Sequence, residues 1–165
     1  MGLIPSDNRD TGSGFDGTWN GHPMAMFTRS YTFDDYEATV WRSCAATELT
    51  LDAPLLRVSH HQGLTGQTFP RALTTGLQHQ DLEWEAFDRR CRVETEDPRF
   101  AVALLDQRMM EWLMTIGDYA FEAGGSWVMA ETSGDDVAAL RELLDVLDGF
   151  VAHLPRAVLS MYAPA

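Results

Sequence analysis

Histidine is the side chain readiest to exchange protons near neutral pH, and this chain carries His22, His60, His61, His79 and His153. Only His60 and His61 are adjacent. On a strand, neighbouring side chains point to opposite faces, so this pair is poorly placed to chelate one metal ion. The others are scattered, with no His-x-His and no pair four residues apart, whereas a zinc site needs three or four converging ligands. No metal is expected. His60 and His61 are the candidate catalytic residues, because they open a long run rich in Gly, Thr and Gln that extends to Gln80. Such a run between apolar segments is either mobile decoration or a lid bordering a ligand, and His60 or His61 would then give or take a proton there.

Other chemistry is excluded more firmly. Glu83 and Glu85 would share one face of a strand, but the alternation around them fits an exposed strand side better than an acid–base pair. Gly12-Ser13-Gly14-Phe15-Asp16-Gly17 spells G-x-G-x-x-G. A dinucleotide site needs a buried strand before that motif and a helix after it, and neither is suggested here, so no cofactor is expected. No Ser sits in a Gly-x-Ser-x-Gly elbow. Cys44 and Cys91 are isolated, each in an apolar strand-like context, and read as buried thiols. There is no lysine, which removes Schiff-base and phosphate-loop lysine chemistry. The all-Arg, Ala- and Asp-rich usage is an actinobacterial-like composition, typical of a high-GC genome.

These residues need elements to position them. Met24 to Tyr31 and Tyr36 to Thr50 read as strands joined by a turn at Asp34-Asp35. Pro54 is expected to break the chain before a short strand from Leu55 to Val58. Leu82 to Val93 alternates like a half-buried strand. Asp97-Pro98 then starts a helix, since Asp can cap it and Pro has no N–H to lose, and Asp106 caps a second. Tyr119 to Glu131 reads as a β-hairpin about Gly124-Gly125. Val137, Leu140, Leu144, Leu147, Val151 and Leu154 stripe a final amphipathic helix opened by Ser133-Gly-Asp-Asp, with Leu144 and Leu147 expected to be buried. The fold class is therefore α+β, with a mainly antiparallel sheet, a paired helical segment near 98–115 and a C-terminal amphipathic helix near 135–154.

The stretch Phe87-Asp88-Arg89-Arg90-Cys91-Arg92-Val93, with Asp97, Ala103-Leu104-Leu105 and Met109-Met110-Glu111-Trp112-Leu113, resembles a bacterial family described only as a domain of unknown function. That family's pattern is Phe-x-x-x-Phe-x-Val, an acidic turn, and a Leu-Leu-x-x-x-Met helix. Gly17-Thr18-Trp19-Asn20-Gly21-His22-Pro23 and Phe27 are similar to its opening strand. The likeness spans about two-thirds of the chain, and Cys91 stands where the family has an aromatic residue. It implies no catalytic residue.

At 165 residues the chain suits a single globular domain over 18–160, behind a flexible N-terminal tail, 1–17. No apolar run approaches a membrane span, and the start lacks a signal peptide's basic and apolar regions, so a cytoplasmic protein is expected. A net charge of −13 argues against nucleic acid and anionic membranes as partners. The Arg89-Arg90-Arg92 cluster reads as a solvated edge with carboxylate partners. Two functions remain. The favoured one is a non-catalytic binding or interaction domain with a protein partner or a small apolar ligand. The other is a small enzyme, independent of metal and nucleotide, that binds an apolar molecule in a Trp/Met/Phe-lined pocket.

Overall fold

The computed structural model describes residues 11–33, 38–60, 76–133 and 136–164. The strands are β1 (Thr11–Trp19), β2 (His22–Phe33), β3 (Ala38–His60), β4 (Gln78–His79), β5 (Cys91–Thr95) and β6 (Ala120–Thr132). The helices are α1 (Glu85–Arg90), α2 (Pro98–Leu104), α3 (Gln107–Thr115), α4 (Val137–Ala152) and α5 (Arg156–Met161). All the strand pairings are antiparallel, in the order β1-β2-β3-β5-β4, with β6 also on β3. The expected α+β class with its antiparallel sheet and late helices is what the chain adopts.

β3 organises the sheet. β6 follows it from Ser43 to Val58, while β2 and then β5 take the opposite edge, along Ala38–Thr47 and Leu56–His60. Pro54 therefore does not end a strand. Instead β3 advances from Glu48 to Leu56 while β6 covers only Trp127 to Ala123, so the surplus residues of β3 form a bulge. A bulge bends a strand and raises its twist. It also shifts the alternation: the core-facing residues are Ala45, Leu49, Leu51 and Ala53 up to its second register shift, and Leu56 and Val58 beyond that shift.

Gly124-Gly125 lies inside this bend rather than at a hairpin tip, and β6 is one continuous strand. Gly125 has φ +55°, and a Cβ on Gly124 would sit 3.1 Å from Leu55 Cδ1. The dipeptide is thus required for a positive φ and a close approach, the same properties that suggested a turn.

Other expectations also change. Strand β1 begins at Thr11, inside the expected tail, and residues 1–10 lie outside the described part. Glu85–Arg90 is helical, because Glu, Ala and Arg favour helix and two alternations are too few to enforce a strand. Asp88 anchors its start by accepting the Leu82 N–H at 3.1 Å, and Glu85 pairs with Arg89 one turn on. Asp97 and Asp106 do cap α2 and α3, by accepting from the N–H groups of Arg99 and Met109. Asp136, the last residue of the Ser133-Gly-Asp-Asp opening, caps α4 by accepting from the Ala139 N–H. In that helix Leu143, Leu147 and Phe150 are buried and Leu144 is only half-buried. The Asp34-Asp35 turn lies outside the described residues.

All the helices lie on one face of the sheet. Their buried residues, among them Phe100, Leu104, Met109, Leu113, Leu147 and Phe150, join Met24, Ala45, Val58, Val93 and Phe121 in the main core. A smaller cluster of Phe27, Cys44, Ala46 and Met129 occupies the other face.

Candidate functional site

His60 closes β3 opposite Cys91, and its Nδ1 lies 3.0 Å from Asp118 Oδ1. The imidazole is nearly enclosed, at 4% exposure, whereas Asp118 is open to solvent. Burial lowers the His60 pKa below the ordinary value. The Asp118 hydrogen bond and charge oppose that shift, and nearby Arg90 reinforces it. Arg90 itself donates to the carbonyls of Met114 and Ile116, at the C-terminal end of α3. His60 thus ends β3 as an enclosed imidazole of lowered pKa, not one displayed on a loop.

His61 and the rest of the expected lid, up to residue 75, lie outside the described residues. The other histidines do not join His60. His22 faces Asp148 at 3.7 Å, His79 bridges Val93 O and Asp81, and His153 contacts Gly149 O while stacking on Trp112. Glu83 is exposed, and Glu85 is engaged with Arg89. Arg92 pairs with Glu94. The G-x-G-x-x-G residues fall within β1, which leads into β2, so no helix N-terminus follows them. Among the described residues no group of three His, Cys, Asp or Glu side chains is gathered as a metal site.

A second constellation occupies the face of the sheet opposite the helices. Strand register places Arg29 across from Arg42, Phe27 and Glu131 on either side of Cys44, and Arg57 across from Glu122. Arg29, Arg42, Arg57 and Glu131 are each at least nine-tenths buried. Arg57 Nη2 approaches Glu131 Oε1 to 3.9 Å. Yet Arg57 sits opposite Glu122, and an extended strand from Glu122 to Glu131 would span roughly 30 Å. Those side chains can meet only if the sheet folds over toward this face at the bulge. The face is therefore concave, and the lower half of β3 and β6 is brought over the upper half.

Cys44 reports the same convergence. Its thiol pKa is raised, first by burial and then by Glu131 and Glu122, while Arg29 and Arg42 pull it the other way. Charged residues from both halves of the bent sheet thus act on one sulfur. A thiol held protonated in this way is a poor nucleophile. Cys91, on the helix side, is pushed up to about 12 by burial. Neither cysteine is in a disulfide, and they lie on opposite faces.

Sequence reading missed this constellation. Its signal was a charged residue at a core period, most plainly Arg57 in Leu55-Leu56-Arg57-Val58, which an apolar tally passes over. The face assignment of Arg57 also depends on the bulge.

No helix among the described residues is long and apolar enough to cross a membrane, which leaves strand-built spans untouched. No family model matches the chain, and no curated protein matches it. A solved structure does: that of the mycobacterial trehalose monomycolate transport factor A, TtfA, matches over 96% of this chain and 77% of its own length, with a TM-score of 0.63 and 13% sequence identity. At that identity the likeness is one of fold: this chain shares the architecture of the transport factor across nearly its whole length.

Proposed function

We propose that this chain is a non-catalytic binding domain, of the transport-associated kind to which its structural neighbour belongs by name. The observation that carries this reading is the folded-over sheet, evidenced by the Arg57–Glu131 contact, which encloses a charged inner face. Enclosed, desolvated polar groups among apolar neighbours are how proteins hold and orient a ligand. The groups fit for covalent work support the same view, since burial keeps both thiols protonated. We also assign the protein to a reducing, cytoplasmic compartment, which two unlinked buried thiols suit.

The test is to incubate the purified chain with a mixture of trehalose monomycolate, a fatty acid and a phospholipid. The complex is then isolated and its ligand identified by mass spectrometry. At least one compound should be retained in stoichiometric amount and recovered chemically intact. Conversion to product would overturn the non-catalytic reading, and retention of none would overturn binding of such molecules.

A second reading has one specific observation behind it. His60 with Asp118 at 3.0 Å is an oriented imidazole of lowered pKa, the arrangement of a general base. Turnover in the same incubation, abolished by His60→Gln, would favour the enzyme.

A further inference from the structure

We propose that the chain self-associates through the outer edge of β1. Two copies pair antiparallel about a two-fold axis at Gly17, which joins their sheets and sets Phe15 of each copy against Trp19 of the other. This goes beyond the binding reading and does not depend on it.

Strand β1 stands at the end of the strand order, with β2 on one side of it. Every residue from Gly14 to Thr18 is exposed, and Phe15 reaches 77%. The outer side of such a strand presents backbone N–H and C=O groups to solvent and is a template for a further strand. Natural edges are guarded against pairing by lysine, proline, bulges or charge. Here the guards are few. The chain has no lysine, and β1 holds no proline and a single charged residue, Asp16. The register against β2 slips only between Thr11 and Gly14, and it is regular from Gly14 to Trp19.

The chemistry of this stretch selects a second copy and one register. Opposed residues of an antiparallel pair share a face, so a two-fold axis normal to the sheet sets one residue opposite itself. Centring on Asp16 opposes two like charges. Centring on Phe15 runs the pair into the irregular stretch from Thr11 to Gly14. Centring on Gly17 uses the regular stretch alone: Phe15 meets Trp19, Asp16 meets Thr18, and each contact is made twice. One segment serving both sides is what an isologous contact requires. Phe15 and Gly17 lie across from Met26 and Met24, which belong with Trp19 to the helix side of the sheet. The aromatic pair therefore forms on that side and gives the exposed Phe15 ring an apolar neighbour, and aromatic cross-strand pairs stabilise a sheet. No atom lies within 4 Å of where a Cβ on Gly17 would sit, so the centre of the contact is open. An unrelated strand would be selected by charge or by pockets, and this edge offers a single carboxylate.

Two short strands make a small interface, so the dimer should be weak and concentration-dependent. The test is sedimentation velocity of the full chain from about 10 μM to about 1 mM, the range in which weak contacts saturate. A reversible monomer–dimer equilibrium is expected. It should strengthen as salt is raised, because each copy carries a net charge of −13. Gly17→Lys sets two cations opposite each other and should weaken dimerisation at least tenfold, although it lowers the overall repulsion. Phe15→Ser should weaken it as well, whereas Val137→Ser, at a residue 79% exposed on α4, should leave it unchanged. The register is read by oxidation with diamide: Gly17→Cys should cross-link chain to chain, and Phe15→Cys should not. If Gly17→Lys does not fold, Phe15→Ser and the cross-linking decide. A chain that stays monomeric at about 1 mM overturns the proposal. A dimer that survives both β1 substitutions lies elsewhere and overturns it too, as does loss of the dimer in Val137→Ser, which marks general apolar association. Cross-linking through Phe15→Cys in place of Gly17→Cys overturns the register.

Discussion

On the outer face of the sheet, Phe121 stacks on Phe150 at 5.0 Å, Trp112 leans on both rings, and the helices seal the layer. On the inner face, a few rungs away through the same strands, Arg29 lies across from Arg42 and Arg57 reaches Glu131. The outer face gains from excluding water at every contact. The inner face loses hydration at every charged group and recovers it only through partners. Evolution of stability alone would favour apolar residues on both sides. The difference marks the helix-covered face as the one that stabilises the fold.

The comparison can be broken most forcefully on the outer face. Phe150→Ala should cost roughly 3 to 5 kcal/mol, the range for a buried aromatic, as measured by urea denaturation. A loss below about 1 kcal/mol would mean that the helices are not the chief source of stability. On the inner face, Glu131→Gln should cost roughly 3 kcal/mol, because it strips a carboxylate from buried arginines. The sharper comparison is the double variant Arg57→Met with Glu131→Leu. It should recover most of that stability yet lose ligand binding, and a double variant as unstable as the single one would give the pair a structural purpose. Gly149→Ala comes next. Its Cβ would lie 2.8 Å from Trp112 Cζ2, so thermal melting should reveal a loss of roughly 1 to 3 kcal/mol.

The smallest expected effect is a pH dependence. The folded chain holds the His60 pKa below its unfolded value, so the unfolded chain takes up the proton first. Stability from this group is complete above a pH of about 6.5 and declines as the pH falls below that value. Denaturation midpoints measured from pH 7.5 to 5.0 should fall less for His60→Gln than for the parent chain. Parallel curves would exclude His60 as the source.

The elements with their own local chemistry were legible in the sequence. Asp97-Pro98 and Asp106 mark helix starts because capping needs only a side chain and the amides within its reach. The stripe of α4 was legible too, but a stripe on one helix fixes an orientation only to within a residue, and the neighbours it meets selected Leu143 over Leu144. Gly124-Gly125 was read correctly as a place of unusual backbone and wrongly as a turn, because turns and bulges ask the same of glycine. What separates them is the partner strand, and Ala53 lies far away in sequence. The charged inner face was hidden for the same reason. Arg29, Arg42 and Glu131 are gathered by the register of three strands, and only the bend in the sheet brings Arg57 to Glu131.

The two cysteines, placed one on each side of the sheet, also serve as clocks. Cys44 and Cys91 are both buried, one on each side of the sheet, so a thiol reagent reaches each only when its own side of the sheet opens. Their alkylation rates in the same sample therefore time two different motions without any engineered label. If the curl breathes to admit a ligand while the helices stay docked, Cys44 will be alkylated first, and an occupied site will slow Cys44 while leaving the pace of Cys91 unchanged.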